Sequence, residues 1–323
     1  MPTRDWSTCI DTLCSQVVRH YVFPDVAERV VAVLRERHAG GHYDEIDGDE
    51  EFAAAVTADL QSVNGDKHLR LLYSVDPIGE QDDDELFDEA AYRAEVELAN
   101  GGIAEVRRLD GNVGYLDLRL MHAAAYAGQA VVAAMTLVAH TDALIVDVRR
   151  NGGGDPFTVA LYCSFLFDEP THLNDLYSRP NDSTYHSWTQ QYLPGPRFGG
   201  TKPVFVLTSS YTFSGAEEFA YNLKTRGRAV LIGERTRGGA HPGSRYRVDT
   251  HLKSAVPSGR AINPVTGTNW EGVGVEPDVE LPADDAFAAA YGRAIDHVLT
   301  LGSDGPRRAV AEEAGKARQN LAG

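Results

Sequence analysis

The sequence predicts an α/β protein, with helices layered on a largely parallel sheet behind a helical N-terminal segment. Three observations carry this reading. Ala143-Leu144-Ile145-Val146-Asp147-Val148, Val204-Phe205-Val206-Leu207-Thr208 and Ala229-Val230-Leu231-Ile232-Gly233 are near-continuous apolar runs, the mark of strands buried on both faces. The first two lead through a turn into a helical pattern, the alternation of a parallel sheet. Residues 5–75, by contrast, read as mostly helical.

Taken in order, Ile10, Leu13, Val17 and Val18 recur at helical spacing until Tyr21-Val22-Phe23-Pro24 stops the segment. Val26 to Leu34 is a second amphipathic run, ended by Ala39-Gly40-Gly41. Glu51 to Leu60 is a third, with Phe52, Val56 and Leu60 on one face. Asn64-Gly65-Asp66 is a turn leading into a strand, His68-Leu69-Arg70-Leu71-Leu72-Tyr73. Residues 1–75 are therefore expected to form a helical N-terminal domain. Residues 76–100, with Asp82-Asp83-Asp84-Glu85, read as an acidic linker or surface helix. Residues 101–303 are expected to form the α/β domain. Its elements are a strand at Val113–Leu118, a helix at Ala124–Ala139 and the strand at 143–148. A glycine turn at Asn151–Gly154, a helix at Phe157–Phe167, the strand at 204–208, a helix from about Gly215 to Arg226 and the strand at 229–233 follow. Residues 304–323 read as a charged, peripheral tail.

Composition narrows the function. The chain has 323 residues, 30 Lys+Arg against 47 Asp+Glu, and a formal net charge of −17. No basic footprint offsets that charge, which argues against a nucleic-acid partner and against docking on an anionic membrane. No apolar stretch approaches the ~18 residues of a membrane span. Met1 to Asp11 lacks the pattern of a signal peptide. Cys9, Cys14 and Cys163 make neither a metal spacing nor an even disulfide set, so they read as buried thiols in a reducing, cytoplasmic compartment. Histidine pairs such as His38 and His42, or His241 and His251, show no zinc-site spacing. No metal and no cofactor is expected.

Four constellations can carry chemistry. In Thr208-Ser209-Ser210-Tyr211-Thr212-Phe213-Ser214-Gly215-Ala216-Glu217, a buried strand ends and a helix begins at Ser214. That placement exposes a hydroxyl at the carboxyl edge of the sheet, beside free helix-start N–H groups suited to an oxyanion. A plain capping box of Ser214 and Glu217 is the alternative, and the two are compatible. Gly152-Gly153-Gly154 follows Asn151 after a buried strand, and its amides suit an oxyanion hole or a phosphate cradle, though no Gly-Lys-Ser/Thr follows for the latter; a ligand-free tight turn is the alternative. His68 heads a strand and is either a surface histidine or a base brought to Ser214 by the fold. Glu271, in Asn269-Trp270-Glu271-Gly272-Val273-Gly274-Val275-Glu276-Pro277-Asp278, is a loop acid able to orient a histidine.

Together these segments resemble peptidase family S41, the tail-specific or C-terminal processing proteases. They are closest to the branch of the interphotoreceptor retinoid-binding protein modules and the tricorn protease core. The ordered matches run from Tyr21-Val22-Phe23-Pro24 through Asp66-Lys67-His68-Leu69, Gly114-Tyr115-Leu116, Leu144 to Gly154 and Leu207 to Tyr221. They continue through Gly227-Arg228-Ala229 and Gly233-Glu234-Arg235-Thr236-Arg237-Gly238-Gly239-Ala240-His241 to Asn269–Asp278. The resemblance implies a ClpP/crotonase-like ββα-spiral core behind a helical N-terminal domain. Residues 76–100 are too few for a PDZ domain. It implies Ser214 as nucleophile, with oxyanion amides from Gly152, Gly153 and Gly215. The processing proteases pair the serine with a lysine, but Arg237-Gly238-Gly239 supplies none. His68 and Glu271 instead fit the histidine and glutamate of the tricorn-like branch, while Lys67 stands where a serine precedes that histidine. The expected function is a serine peptidase acting on peptides. The alternatives are a non-proteolytic module for a hydrophobic small molecule, or a non-peptide acyl hydrolase or transferase on the same site.

Overall fold

Apolar faces at helical spacing account for the first elements. The computed structural model describes residues 4–79 and 87–321. It opens on α1 (Ser7–His20), α2 (Pro24–Ala39) and α3 (Asp49–Gln61). Ile10, Leu13 and Val17 of α1, Val30 and Leu34 of α2, and Phe52, Val56 and Leu60 of α3 are buried in one core. Pro24 enters α2 in its first turn, where a missing N–H is harmless. Asp49, Glu50 and Glu51 occupy the first turn of α3, where the helix dipole favours them. The Trp6 and Phe52 rings stack with centroids 3.8 Å apart.

The chain continues through β1 (Arg70–Tyr73), α4 (Glu89–Leu98), β2 (Ile103–Leu109), β3 (Val113–Leu118), α5 (Ala124–Val138), β4 (Ala143–Asp147) and α6 (Pro156–Ser164). Next come β5 (His172–Ser178), β6 (Ser183–Trp188), β7 (Val204–Thr208), α7 (Gly215–Thr225) and β8 (Val230–Gly233). The last elements are β9 (Gly243–Asp249), β10 (Leu252–Pro257), β11 (Gly259–Ile262), β12 (Val279–Glu280), α8 (Ala283–Thr300) and α9 (Arg307–Asn320). The expected acidic linker ends in a helix, α4, while Asp82-Asp83-Asp84-Glu85 lies outside the described residues.

The chain divides into two units. The first comprises Met1–Asp88, Asp175–Tyr185 and His241–Ile262, and the second Glu89–Asn174, His186–Ala240 and Asn263–Gly323. In the first, the helices pack on an antiparallel sheet of order β1-β10-β9, with Arg70 opposite Ala255 and Tyr73 opposite Leu252. Its sheet thus needs residues from far beyond the N-terminal 75. A separate sheet, of order β11-β5-β6, includes the antiparallel pairing of Gly259–Ile262 with Asp175–Ser178.

The second unit is built on a six-stranded sheet of order β12-β8-β7-β4-β3-β2. All neighbours run parallel except β2, which is antiparallel to β3. Every residue of β3, β4 and β7 is buried, as expected for strands covered on both faces. One face packs Val113, Ile145, Phe205 and Ile232 against Ala286, Ala290, Ala294 and Ile295 of α8 and Ala314 and Ala317 of α9. The charged C-terminal segment therefore contributes core residues and is not merely peripheral. Arg307–Asp142 and Arg108–Glu313 ion pairs tie it down further. Asp147 stands opposite Leu207, and Thr208 opposite Gly233, so the turns after β4, β7 and β8 gather at the carboxyl edge of the sheet. No helix among the described residues is long and apolar enough to cross a membrane.

Candidate active site

β7 carries the chain into the turn that ends at Ser214. Thr212 holds this turn to the end of β4: its hydroxyl donates to Val148 O (2.9 Å) and accepts from Ser209 N (3.0 Å). Phe213 N donates to Asn151 O at 3.1 Å. Ser214 then adopts φ 53° and ψ −120°, a backbone region that glycine enters freely and other residues avoid. The other non-glycine residues of positive φ among the described residues are Asn100, Asn112 and Asp182, types that tolerate it. Such a conformation costs on the order of 1–3 kcal/mol and persists only where the surroundings enforce it.

Glu217 is what enforces it. Its carboxylate is fully buried and accepts four hydrogen bonds. Ser214 N (2.8 Å) and Gly239 N (2.9 Å) donate to Oε2, and the Thr236 hydroxyl (2.5 Å) and Gly238 N (2.6 Å) donate to Oε1. Burial raises the Glu217 carboxyl above its ordinary value, against the pull of these donors. The sequence pattern shows only the helix cap. The structure extends the same carboxylate to the loop after β8.

The glycine turn after β4 lies against the serine. A methyl group on Gly153 (φ 104°) would come within 2.7 Å of Ser214 Cβ and 2.8 Å of Gly215 N. One on Gly154 would meet Met121 O at 2.0 Å. Ser214, Gly153 and Gly215 are thus brought together inside the second unit. A methyl group on Gly152 would lie 4.0 Å from the Tyr211 hydroxyl. Asn151, which the sequence reading treated only as part of the turn, organises it. Its buried side chain donates to Leu118 O (3.1 Å) and accepts from Gly153 N (2.8 Å). The Gly152 N–H makes a longer bond, 3.4 Å, to Arg119 O.

Glu271 is half-buried in the same unit and accepts from Ala240 N at 2.5 Å. The neighbouring Trp270, 2% exposed, donates its indole N–H to Gly239 O at 2.7 Å. Thr236 N donates to Val275 O (3.1 Å), and Val275 N donates to the Thr236 hydroxyl (2.6 Å). The loop bearing Glu271 is therefore zipped onto residues 236–240, which Glu217 ties to Ser214.

His68 belongs to the first unit. It precedes β1 and is half-buried. Its N–H donates to Asp66 Oδ1 at 3.0 Å. Asp66 is fully buried, and its Oδ2 accepts the Tyr21 hydroxyl (2.9 Å) and pairs with His241 Nδ1 (2.8 Å). Burial opposes its charge, but His241, Tyr21 and His68 together hold the Asp66 carboxyl below its ordinary value. No local pattern marks His241, whose partner Asp66 lies 175 positions away in the chain. No three His, Cys, Asp or Glu side chains within a single unit converge as a metal site among the described residues.

Glu218, next to Glu217 on α7, behaves differently. It is buried, and that burial pushes its carboxyl up to about 7, with the Asn174 and Asn222 amides opposing and Asp155 adding to the rise. A raised acid stabilises the fold while protonated. The effect is complete below the ordinary 4.5 and is lost as pH climbs to about 7, because the unfolded chain ionises first. Glu218→Gln stays neutral throughout. Relative to the wild type it is expected to gain on the order of 3 kcal/mol between pH 4.5 and pH 8. Thermal midpoints at the two pH values check this, and a constant difference between the proteins would refute it.

A helical segment followed by a mostly parallel α/β sheet, with a strained serine at the sheet's carboxyl edge, places the chain among folds already solved. The tricorn protease structure superposes with a TM-score of 0.54 at 15% identity, covering 96% of this chain and 36% of that one. The photosystem II D1 C-terminal processing protease gives 0.51 at 18% identity, covering 86% and 94%. In sequence, the tricorn protease of Thermoplasma volcanium is 30% identical over 194 residues, 58% of this chain and 17% of that protein. The chain spans about a fifth of the length of the curated relatives it matches. The family model described as peptidase family S41 matches residues 112–281, and the N-terminal domain of peptidase S41 in eukaryotic IRBP matches residues 3–98. The chain belongs to peptidase family S41. No PDZ domain lies between its helical and α/β parts among the described residues.

Proposed function

We propose that the protein is a serine peptidase in which Ser214 is the nucleophile, His68 the general base and Glu271 the carboxylate that stabilises the base when it is charged. The strained backbone of Ser214 carries this reading. A binding module gains nothing from holding a serine in a glycine conformation, whereas a nucleophile gains a hydroxyl fixed at the carboxyl edge of the sheet beside the helix-start amides. The Ser214 hydroxyl attacks the peptide carbonyl and passes its proton to His68. The Gly215 N–H at the start of α7 and the Gly152-Gly153 turn support the oxyanion. Gly153 N is held by Asn151 at 2.8 Å and Gly152 N by Arg119 O at the longer 3.4 Å, so Gly215 is the first donor, Gly152 the one that exchanges its weaker bond for the oxyanion, and Gly153 supplies the close approach. His68 returns the proton to the leaving amine, and water then releases the acyl group by the reverse route. The substrates are peptides. The buried free thiols of Cys9, Cys14 and Cys163 favour a reducing, cytoplasmic setting.

A fluorophosphonate probe tests the reading. It is expected to modify Ser214, identified by mass mapping. His68→Ala is expected to slow labelling by at least about 100-fold while the fold persists. Failure of the folded wild type to label, or equal labelling of Ser214→Ala, sinks the assignment.

A further inference from the structure

The first unit contains a buried cluster that the proposed chemistry leaves unused. Asp66, 0% exposed, receives three donors on two oxygens. Oδ1 takes the N–H of His68, two residues on, which closes an Asx turn and fixes the backbone from which the His68 side chain departs. Leu69 N donates to Asp66 O at 3.2 Å and completes that turn. Oδ2 takes the Tyr21 hydroxyl and His241 Nδ1. Asn64 Nδ2 donates in turn to the Tyr21 hydroxyl at 2.7 Å. His241 is 5% exposed, and its ring stands edge-on to Phe23 at 5.3 Å. A buried carboxylate with this many donors is held in one orientation and retains its charge.

We propose that Asp66 and His241 form a positioning pair for His68, in which the imidazole of His241 orients the Asp66 carboxylate and that carboxylate sets both the backbone turn and the local field of the base. The proposal rests on His68 being the base. It adds two residues that touch no reacting atom and act only through His68. The turn geometry comes from Oδ1, so it survives an amide at residue 66, whereas the field comes from the charge, which an amide removes. The two effects are therefore separable. The titratable groups facing Asp66 are His241, Tyr21 and His68. Further out, Arg179 donates to Tyr21 O, and Arg260 lies 5.8 Å from the Phe23 ring centroid.

The experiment follows the rate of fluorophosphonate labelling of Ser214 against pH in the full chain. Asp66→Asn keeps an acceptor for the His68 N–H but withdraws the negative charge that favours protonated His68. Its inflection is expected to move to lower pH by about half a unit to one unit. His241→Ala removes a donor to Oδ2 and is expected to lower the limiting rate about tenfold. His241→Asn, which can place an amide N–H near the former Nδ1, is expected to restore most of that rate. A purely structural role predicts a lower thermal midpoint in these variants with neither an inflection shift nor rescue. If His241→Ala does not fold, the inflection of Asp66→Asn still decides the matter. The outcomes separate the two readings. If the wild type fails to label, or labels independently of His68, the peptidase assignment falls. If labelling depends on His68 but Asp66→Asn keeps the wild-type inflection and His241→Ala the wild-type rate, only the positioning pair falls.

Discussion

Ser214→Gly is expected to be more stable than Ser214→Ala, with both devoid of hydrolytic activity. The two variants lack the same hydroxyl and differ only in whether the residue can sit comfortably at φ 53° and ψ −120°. Alanine keeps the strain, which is on the order of 1–3 kcal/mol. Glycine relieves it but loses about 0.5–1 kcal/mol because its unfolded chain is freer. The net expectation is about 1 kcal/mol in favour of glycine, or a rise in midpoint of about 1–2 °C for a protein of this size. Activity in both variants is expected to fall by at least about 10⁴-fold. Thermal unfolding and peptide cleavage measured side by side check the pair. An alanine variant as stable as the glycine variant would mean that the backbone at 214 is not strained, and would remove the main support for its role as nucleophile.

The sequence makes visible those features whose signal is local. β4, β7 and β8 each announce themselves as an apolar run, and each is found. The Ser214 and Gly152–Gly154 turns are legible because a glycine or serine must follow a buried strand there. Other elements carry no such signal. β6 exposes most of its residues, so its segment Ser183–Trp188 has no apolar alternation to detect. β1 pairs with β10, whose residues lie more than 175 positions away, and nothing near Arg70 marks Ala255 as its partner. Ala314 and Ala317 form a buried face made only of methyl groups inside a charged helix, which conceals it from a reading based on hydrophobicity. The roles of Asn151, Glu217 and His241 are hidden for a related reason. Each is defined by partners from several segments, and in the first two most of those partners are backbone groups, which leave no trace in the choice of side chain.

The same exchange, Glu to Gln, is expected to act oppositely at the adjacent positions 217 and 218. At Glu217 both oxygens accept from two donors each. A glutamine has one oxygen and one NH₂, so in either orientation two buried donors face another donor. Each unmade bond costs about 1–3 kcal/mol, and the variant is expected to lose about 2–4 kcal/mol after relaxation. Activity is expected to fall by about 100-fold or more, because Glu217 joins the backbone of Ser214 to the loop on which Trp270 and Glu271 are fastened. At Glu218 the burial already favours the neutral acid, so an amide of the same shape replaces a group that prefers to be uncharged. Glu218→Gln therefore retains activity near neutral pH and gains stability as pH rises. Urea unfolding of both variants at pH 5 and pH 8, with probe labelling at each, makes the contrast measurable. If Glu217→Gln matched the wild type in stability and labelling, the carboxylate would be an ordinary helix cap, and Ser214 would need some other constraint to hold its strained turn.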